Sequence, residues 1–179
     1  MKKKSTLLRK EELPVGKPLI TTIHIKENNS RELRYPVIYR EGFYTQGSGF
    51  FMFGQEEYGL WPDSCTVLCG VEFPEPYNPE TITESSTDDE DDLWVWHPIK
   101  EDMPKEDMPP VGKAIIVTVH ETFSNRTLLK YPVTYRQGIY SSEYNFYQEG
   151  IEENVLSPEW NQILAWTEIP KEKLLHGVK

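Results

Sequence analysis

The sequence predicts an α+β fold that is mostly β, built as two duplicated small antiparallel-sheet modules joined by an acidic connector. Three observations carry this expectation. The chain repeats itself at a fixed offset of 96 residues, its β-branched residues recur with a period of two, and its negative charge is concentrated between the two copies.

The repeat comes first. Pro14-Val-Gly-Lys17 returns as Pro110-Val-Gly-Lys113, His24 as His120 and Asn29 as Asn125. Tyr35-Pro-Val-Ile-Tyr-Arg40 returns as Tyr131-Pro-Val-Thr-Tyr-Arg136, and Val71-Glu-Phe-Pro74 as Thr167-Glu-Ile-Pro170. The register holds without a gap from residue 14 to residue 74, so both copies are expected to share one strand order. A unit of about 60 residues buries only roughly 60% of its unfolded surface and is marginal by itself. Two such units would gain from packing on each other, the alternative being two independent beads on a string.

Within each copy the elements follow from local chemistry. Pro18–Ile25 and Ala114–His120 are rich in β-branched residues and predict a first strand. Glu27-Asn-Asn-Ser30 and Phe123-Ser-Asn-Arg126 predict tight turns, because Asn tolerates positive φ. Tyr35–Arg40 and Tyr131–Arg136 return as the second strand of a hairpin, closed by a turn or bulge at Gly42 and Gly138. Phe43–Phe53 and Ile139–Tyr147 predict an aromatic third strand, and Val67–Phe73 and Ile163–Ile169 a fourth. Leu60–Cys65 and Ser157–Gln162, each with a proline near its start, predict a short helical turn.

Charge divides the chain further. The net charge is −10, and residues 75–109 alone sum to −10, while the stretches 14–74 and 110–170 carry −2 and −3. The division is therefore a first repeat module over 1–76, an acidic flexible connector over 77–93 and a second module over 94–179. The pentad Lys100-Glu-Asp-Met-Pro104 repeats at once as Lys105-Glu-Asp-Met-Pro109, and Lys10-Glu-Glu-Leu-Pro14 is a third version that opens the first module. An acidic chain lacks the basic face of a direct nucleic-acid binder. No run approaches 18 apolar residues, so no membrane association is expected. Met1–Lys10 is basic but has no apolar run behind it, which argues against a signal peptide. With only two cysteines, the expected compartment is a reducing cytoplasm without disulfides.

The second module carries a family resemblance. Trp96-His-Pro-Ile-Lys-Glu-Asp-Met-Pro104, Lys113-Ala-Ile-Ile-Val-Thr-Val119 and Ile163-Leu-Ala-Trp-Thr-Glu-Ile-Pro170 resemble a small phage and prophage domain family of unknown function, here in tandem. That family is similar in its leading Trp, short apolar strand and closing Trp followed by a proline motif. The first module keeps Phe73-Pro-Glu-Pro76 but has Gly70 where the second has Trp166. The resemblance implies a phage-related origin, a small β-rich module and the cytoplasm of a bacterial host as location. It implies no activity.

Candidate sites are few. Asp88, Asp89, Glu90, Asp91 and Asp92, with Trp94 behind them, could form an acidic, aromatic-tipped arm that engages the Lys and Arg of a phosphate-binding protein. The plainer reading is a solvated spacer. His24, Tyr39 and Arg40, copied as His120, Tyr135 and Arg136, could hold a small anion or nucleotide if strand register brings them together; the plainer reading is a structural hydrogen-bond network with a half-buried tyrosine stripe. Cys65 and Cys69 have the C-x3-C spacing of two metal ligands, but Asn161 and Ala165 replace them in the second copy. They read as small buried residues, so no metal is expected. Gly47-Ser-Gly49 lacks the Lys and helix of a phosphate loop. No catalytic constellation and no cofactor motif emerges, so no enzyme is expected. Trp96 and Trp166 are expected in the core of the second module. The expected function is that of a phage-related, non-enzymatic protein-binding module. Its partner would be a protein with a basic surface, such as a host defence or nucleic-acid enzyme that it antagonises. The alternative is a protein that sequesters a small anion or nucleotide.

Overall fold

The structure is a computed structural model that describes residues 6–42, 47–53, 59–80, 93–138, 142–149 and 155–177. Each copy forms one five-stranded antiparallel sheet. The first contains β1 (Leu8–Arg9), β2 (Pro18–Ile25), β3 (Ser30–Glu41), β4 (Ser48–Met52) and β5 (Cys65–Glu72), in the order β1-β5-β2-β3-β4. The second contains β6 (His97–Pro98), β7 (Ala114–Glu121), β8 (Arg126–Gln137), β9 (Tyr144–Gln148) and β10 (Asn161–Glu168), in the order β6-β10-β7-β8-β9. A six-residue helix, α1 (Lys171–His176), follows. The mostly-β, twice-built architecture is thus the one the repeat predicts. Among the described residues no helix is long and apolar enough to cross a membrane.

Local chemistry explains the hairpins. Asn29 and Asn125 take φ of 54° and 51° at the tips between β2 and β3 and between β7 and β8, a conformation Asn adopts more readily than most residues. Leu19 pairs with Val37 but Thr21 with Arg34, so a bulge sets Tyr35 and Pro36 opposite Ile20 alone. Pro36 has no N–H, and the bulge places it where the ladder is already interrupted. The same shift recurs between Ile115 and Val117, opposite Tyr131 and Pro132, and both Tyr–Pro bonds are cis. The predicted helical turns are single hydrogen-bonded turns, with the Cys65 and Asn161 amides donating to the Trp61 and Ser157 carbonyls at 3.0 and 2.9 Å.

The outer strands were not expected. Two-residue strands carry too little periodicity to be read. Leu8 pairs with Gly70 and His97 with Trp166, so β6 lies 89 residues after β1 although their partners are 96 apart. The extra residues of the second copy hold the repeated pentad.

The central strands are buried on both faces. Leu19, Ile23, Val37, Phe50, Cys65 and Val67 form the core of the first sheet, and Ile115, Val117, Val119, Val133, Leu156 and Trp166 that of the second. What covers the opposite faces corrects the predicted domain division. The chain separates into one compact unit of Met1–Pro74 with Pro170–Lys179 and another of Glu75–Ile169. The tail of the second copy therefore belongs to the first unit. Leu174 on α1 is 1% exposed, and its carbonyl accepts from Thr22 Oγ1 at 2.6 Å and Cys69 Sγ at 3.6 Å. Arg31 Nη1 donates to the Leu175 carbonyl at 3.1 Å. These carbonyls lie in the last helical turn, where the helix supplies no partner of its own. In the second unit the counterpart of Thr22 is Thr118, and its Oγ1 accepts from the Tyr77 amide at 2.9 Å. Each copy's closing strand is thus followed by a segment that completes the other unit. Adjacency in sequence gave no sign of this.

Candidate functional site

The duplicated His/Tyr/Arg face is not assembled. Register places His24 opposite Arg31 near the hairpin tip, while Arg40 pairs with Gly49 at the other end of β3. His24 Nε2 lies 2.8 Å from Asn29 Oδ1, and the Arg40 guanidinium sits over the Phe51 ring at 5.5 Å. Tyr39 stacks on Phe50, with centroids 4.6 Å apart. The second copy repeats the separation. His120 Nδ1 is 3.4 Å from Thr127 Oγ1, Arg136 lies 4.8 Å over Tyr147, and Tyr135 packs between Tyr144 and Phe146. A strand twelve residues long carries its two ends far apart, and facing alternation could not reveal this.

The acidic arm divides in the same way. Asp88, Asp89, Glu90, Asp91 and Asp92 lie outside the described residues. Trp94 is 5% exposed, so its indole is not an aromatic tip offered to a partner. Trp166 is buried as expected and stacks on His97 at 4.4 Å, whereas Trp96 is only half-buried, 6.4 Å from Tyr77. Partial desolvation pushes the imidazole of His97, an otherwise exposed residue, below its ordinary pKa, against the opposing pull of Glu168. Cys65 and Cys69 are buried free thiols, both pushed up by desolvation.

Two features were missed by the sequence reading. The first is an aromatic pair at the tip of the β7–β8 hairpin. Phe123 is 87% exposed and meets Trp160, 54% exposed, edge-on at 6.1 Å. The Thr122 amide donates to the Trp160 carbonyl at 3.0 Å, which fixes the loop before β10 against the tip. The first unit makes the same bond from Lys26 to Ser64 at 3.0 Å, but Glu27 and Ser64 stand where Phe123 and Trp160 are. The signal was legible as two aromatics at turn positions that are polar in the other copy.

The second feature is a cavity of about 370 Å³ in the first unit, between the β3–β4 end of the sheet and the segment Gly59–Val67. Tyr39, Phe50, Phe51 and Trp61 supply aromatic walls, Ser48 and Thr66 supply hydroxyls, and Lys10 and Lys26 stand among the lining residues. The Lys26 ammonium donates to the Pro62 carbonyl. Of the residues predicted for a ligand site, only Tyr39 lines it. No protein-family model, no curated protein and no solved structure matches the chain.

Proposed function

We propose that this chain is a phage-related, non-enzymatic protein-binding module that acts in the bacterial cytoplasm by antagonising a host defence or nucleic-acid enzyme. The observation that carries the reading is the Phe123–Trp160 pair. Large exposed aromatics are enriched where proteins dock, and the first copy makes the same turn contact with polar residues at these positions. Glu159 adjoins the pair in sequence, Glu121 being ion-paired with Lys130 at 3.1 Å, and residues 75–109 of the same unit carry a net −10. The complementary partner has a basic surface of the kind that binds phosphates. Phage origin and compartment rest on the motifs of the second module and on cysteine usage.

The test compares three immobilised proteins in a bacterial lysate, with retained proteins quantified by mass spectrometry. They are the wild type, the double variant Phe123→Ser with Trp160→Ser, and the variant with Asp88, Asp89, Glu90, Asp91 and Asp92 changed to Asn or Gln. A basic protein held by the wild type, released by salt and lost from the aromatic variant is expected. Loss from the five-residue variant assigns the acidic arm a share of the contact, and full retention there makes it a spacer. Equal retention by the wild type and the aromatic variant overturns the reading.

A further inference from the structure

We infer that the cavity of the first unit is a binding site for a small planar aromatic molecule bearing one anionic group, a class that includes nucleoside monophosphates and aromatic carboxylates. The internal duplication supplies the argument. Gly49 lies inside β4 and Gly59 in the facing segment, and neither has the positive φ that would demand glycine. A Cβ at Gly49 would meet Phe51 at 3.4 Å, and one at Gly59 would meet it at 3.7 Å, both ordinary contacts. Backbone geometry and packing therefore do not require these glycines. A glycine in a strand weakens it and often marks close approach by a ligand.

The second copy carries larger residues in the same frame. At the positions of Ser48, Gly49 and Gly59 it carries Tyr144, Asn145 and Val155. The Tyr144 ring lies 5.5 Å from Tyr135, the counterpart of Tyr39. In the first unit a serine at this position leaves that flank of Tyr39 open to the cavity. The first copy thus has a recess beside Tyr39 at a position where the second sets an aromatic ring against the equivalent tyrosine, and a ring is the shape such a recess accepts. Its volume lies in the range of small-molecule sites, which pair apolar walls with a few polar groups. Lys10 and Lys26 select the charge, since two lysines in the lining favour an anion and penalise a cation. The site lies in the other unit from the Phe123–Trp160 surface, so either can fail without the other.

Isothermal titration of the full chain tests the inference with four probes: adenosine monophosphate, adenosine, indole-3-acetate and tryptamine. Binding of at least one anionic probe is expected, with adenosine and tryptamine weaker by about tenfold or more, the equivalent of one good charged contact. The two anionic arms separate a nucleotide from a carboxylate ligand. Ser48→Tyr with Gly49→Asn and Gly59→Val, residues this fold already carries at the equivalent positions, should abolish the titration. Lys10→Gln with Lys26→Gln keeps the cavity shape and should remove the preference for anions. Phe123→Ser with Trp160→Ser should leave every titration unchanged. No titration by any probe overturns the inference, as does undiminished binding by the filled variant. Equal affinity for adenosine and its monophosphate overturns the assignment of charge to the two lysines.

Discussion

Gly70 and Trp166 occupy the same register on the same strand of the two sheets, and they show how one frame is filled in two ways. A Cβ at Gly70 would lie 3.0 Å from both the Ile20 carbonyl oxygen and Leu13 Cδ2. Leu13, 5% exposed, packs over the position that the glycine leaves empty. In the second sheet the pentad counterpart of Leu13 is Met108, which is only half-buried, and the indole of Trp166 joins the core itself. Volume has moved between residues distant in sequence while strand order stayed fixed, as expected where total core volume matters more than which residue supplies it. At the cavity the two copies differ again, with Ser48, Gly49 and Gly59 in the first against Tyr144, Asn145 and Val155 in the second.

This comparison can be broken most directly at Trp166. Trp166→Ala should cost the second unit about 3–5 kcal/mol. Hydrogen exchange of residues 114–121 through a urea series would show it, with residues 18–25 unchanged. Trp166→Phe should cost far less, because the ring area stays and a buried indole N–H without a hydrogen-bond partner among the described residues disappears. The converse variant is Leu174→Ala, which uncovers the first unit and should cost about 2–4 kcal/mol there. Protection should then fall in 18–25 and hold in 114–121. If instead 114–121 loses protection, α1 does not complete the first unit.

Gly70→Ala sharpens the point at lower cost. Crowding against a backbone carbonyl should destabilise the first unit by about 1–3 kcal/mol, read as a lower urea midpoint. A neutral result would show that the space around Leu13 is not filled. Smaller still is a pH effect confined to the second unit. Partial desolvation lowers the folded-state pKa of His97, so the native state favours the neutral ring. The resulting stability is present above the unfolded value of about 6.5 and is lost as pH falls through the lower folded value. His97→Phe should flatten that part of the midpoint-against-pH curve while keeping a ring on Trp166. The smallest expected effect is Phe123→Ser, which should leave stability within about 0.5 kcal/mol of wild type because the ring is exposed. A larger loss in thermal melting would make the aromatic pair part of the fold and not a surface for a partner.

The sequence alone determined the duplication, the two-residue period of the strands, the Asn turns and the burial of Trp166. Each of these is written in residues close together or in exact recurrence. Tertiary structure decided which residues meet. His24 and Arg40 share a hairpin yet sit at its opposite ends, because the turn at Asn29 fixes a register that alternation alone leaves open. Leu174 completes a sheet more than a hundred residues away, and a six-residue helix is too short to announce an apolar face. The cavity was visible only as small residues at Ser48, Gly49 and Gly59, and such residues become a recess only when β4 and the Gly59–Val67 segment face one another. Strand period and turn type are local properties of the chain, whereas register, cover and empty space depend on contacts between distant segments, which only the folded structure brings together.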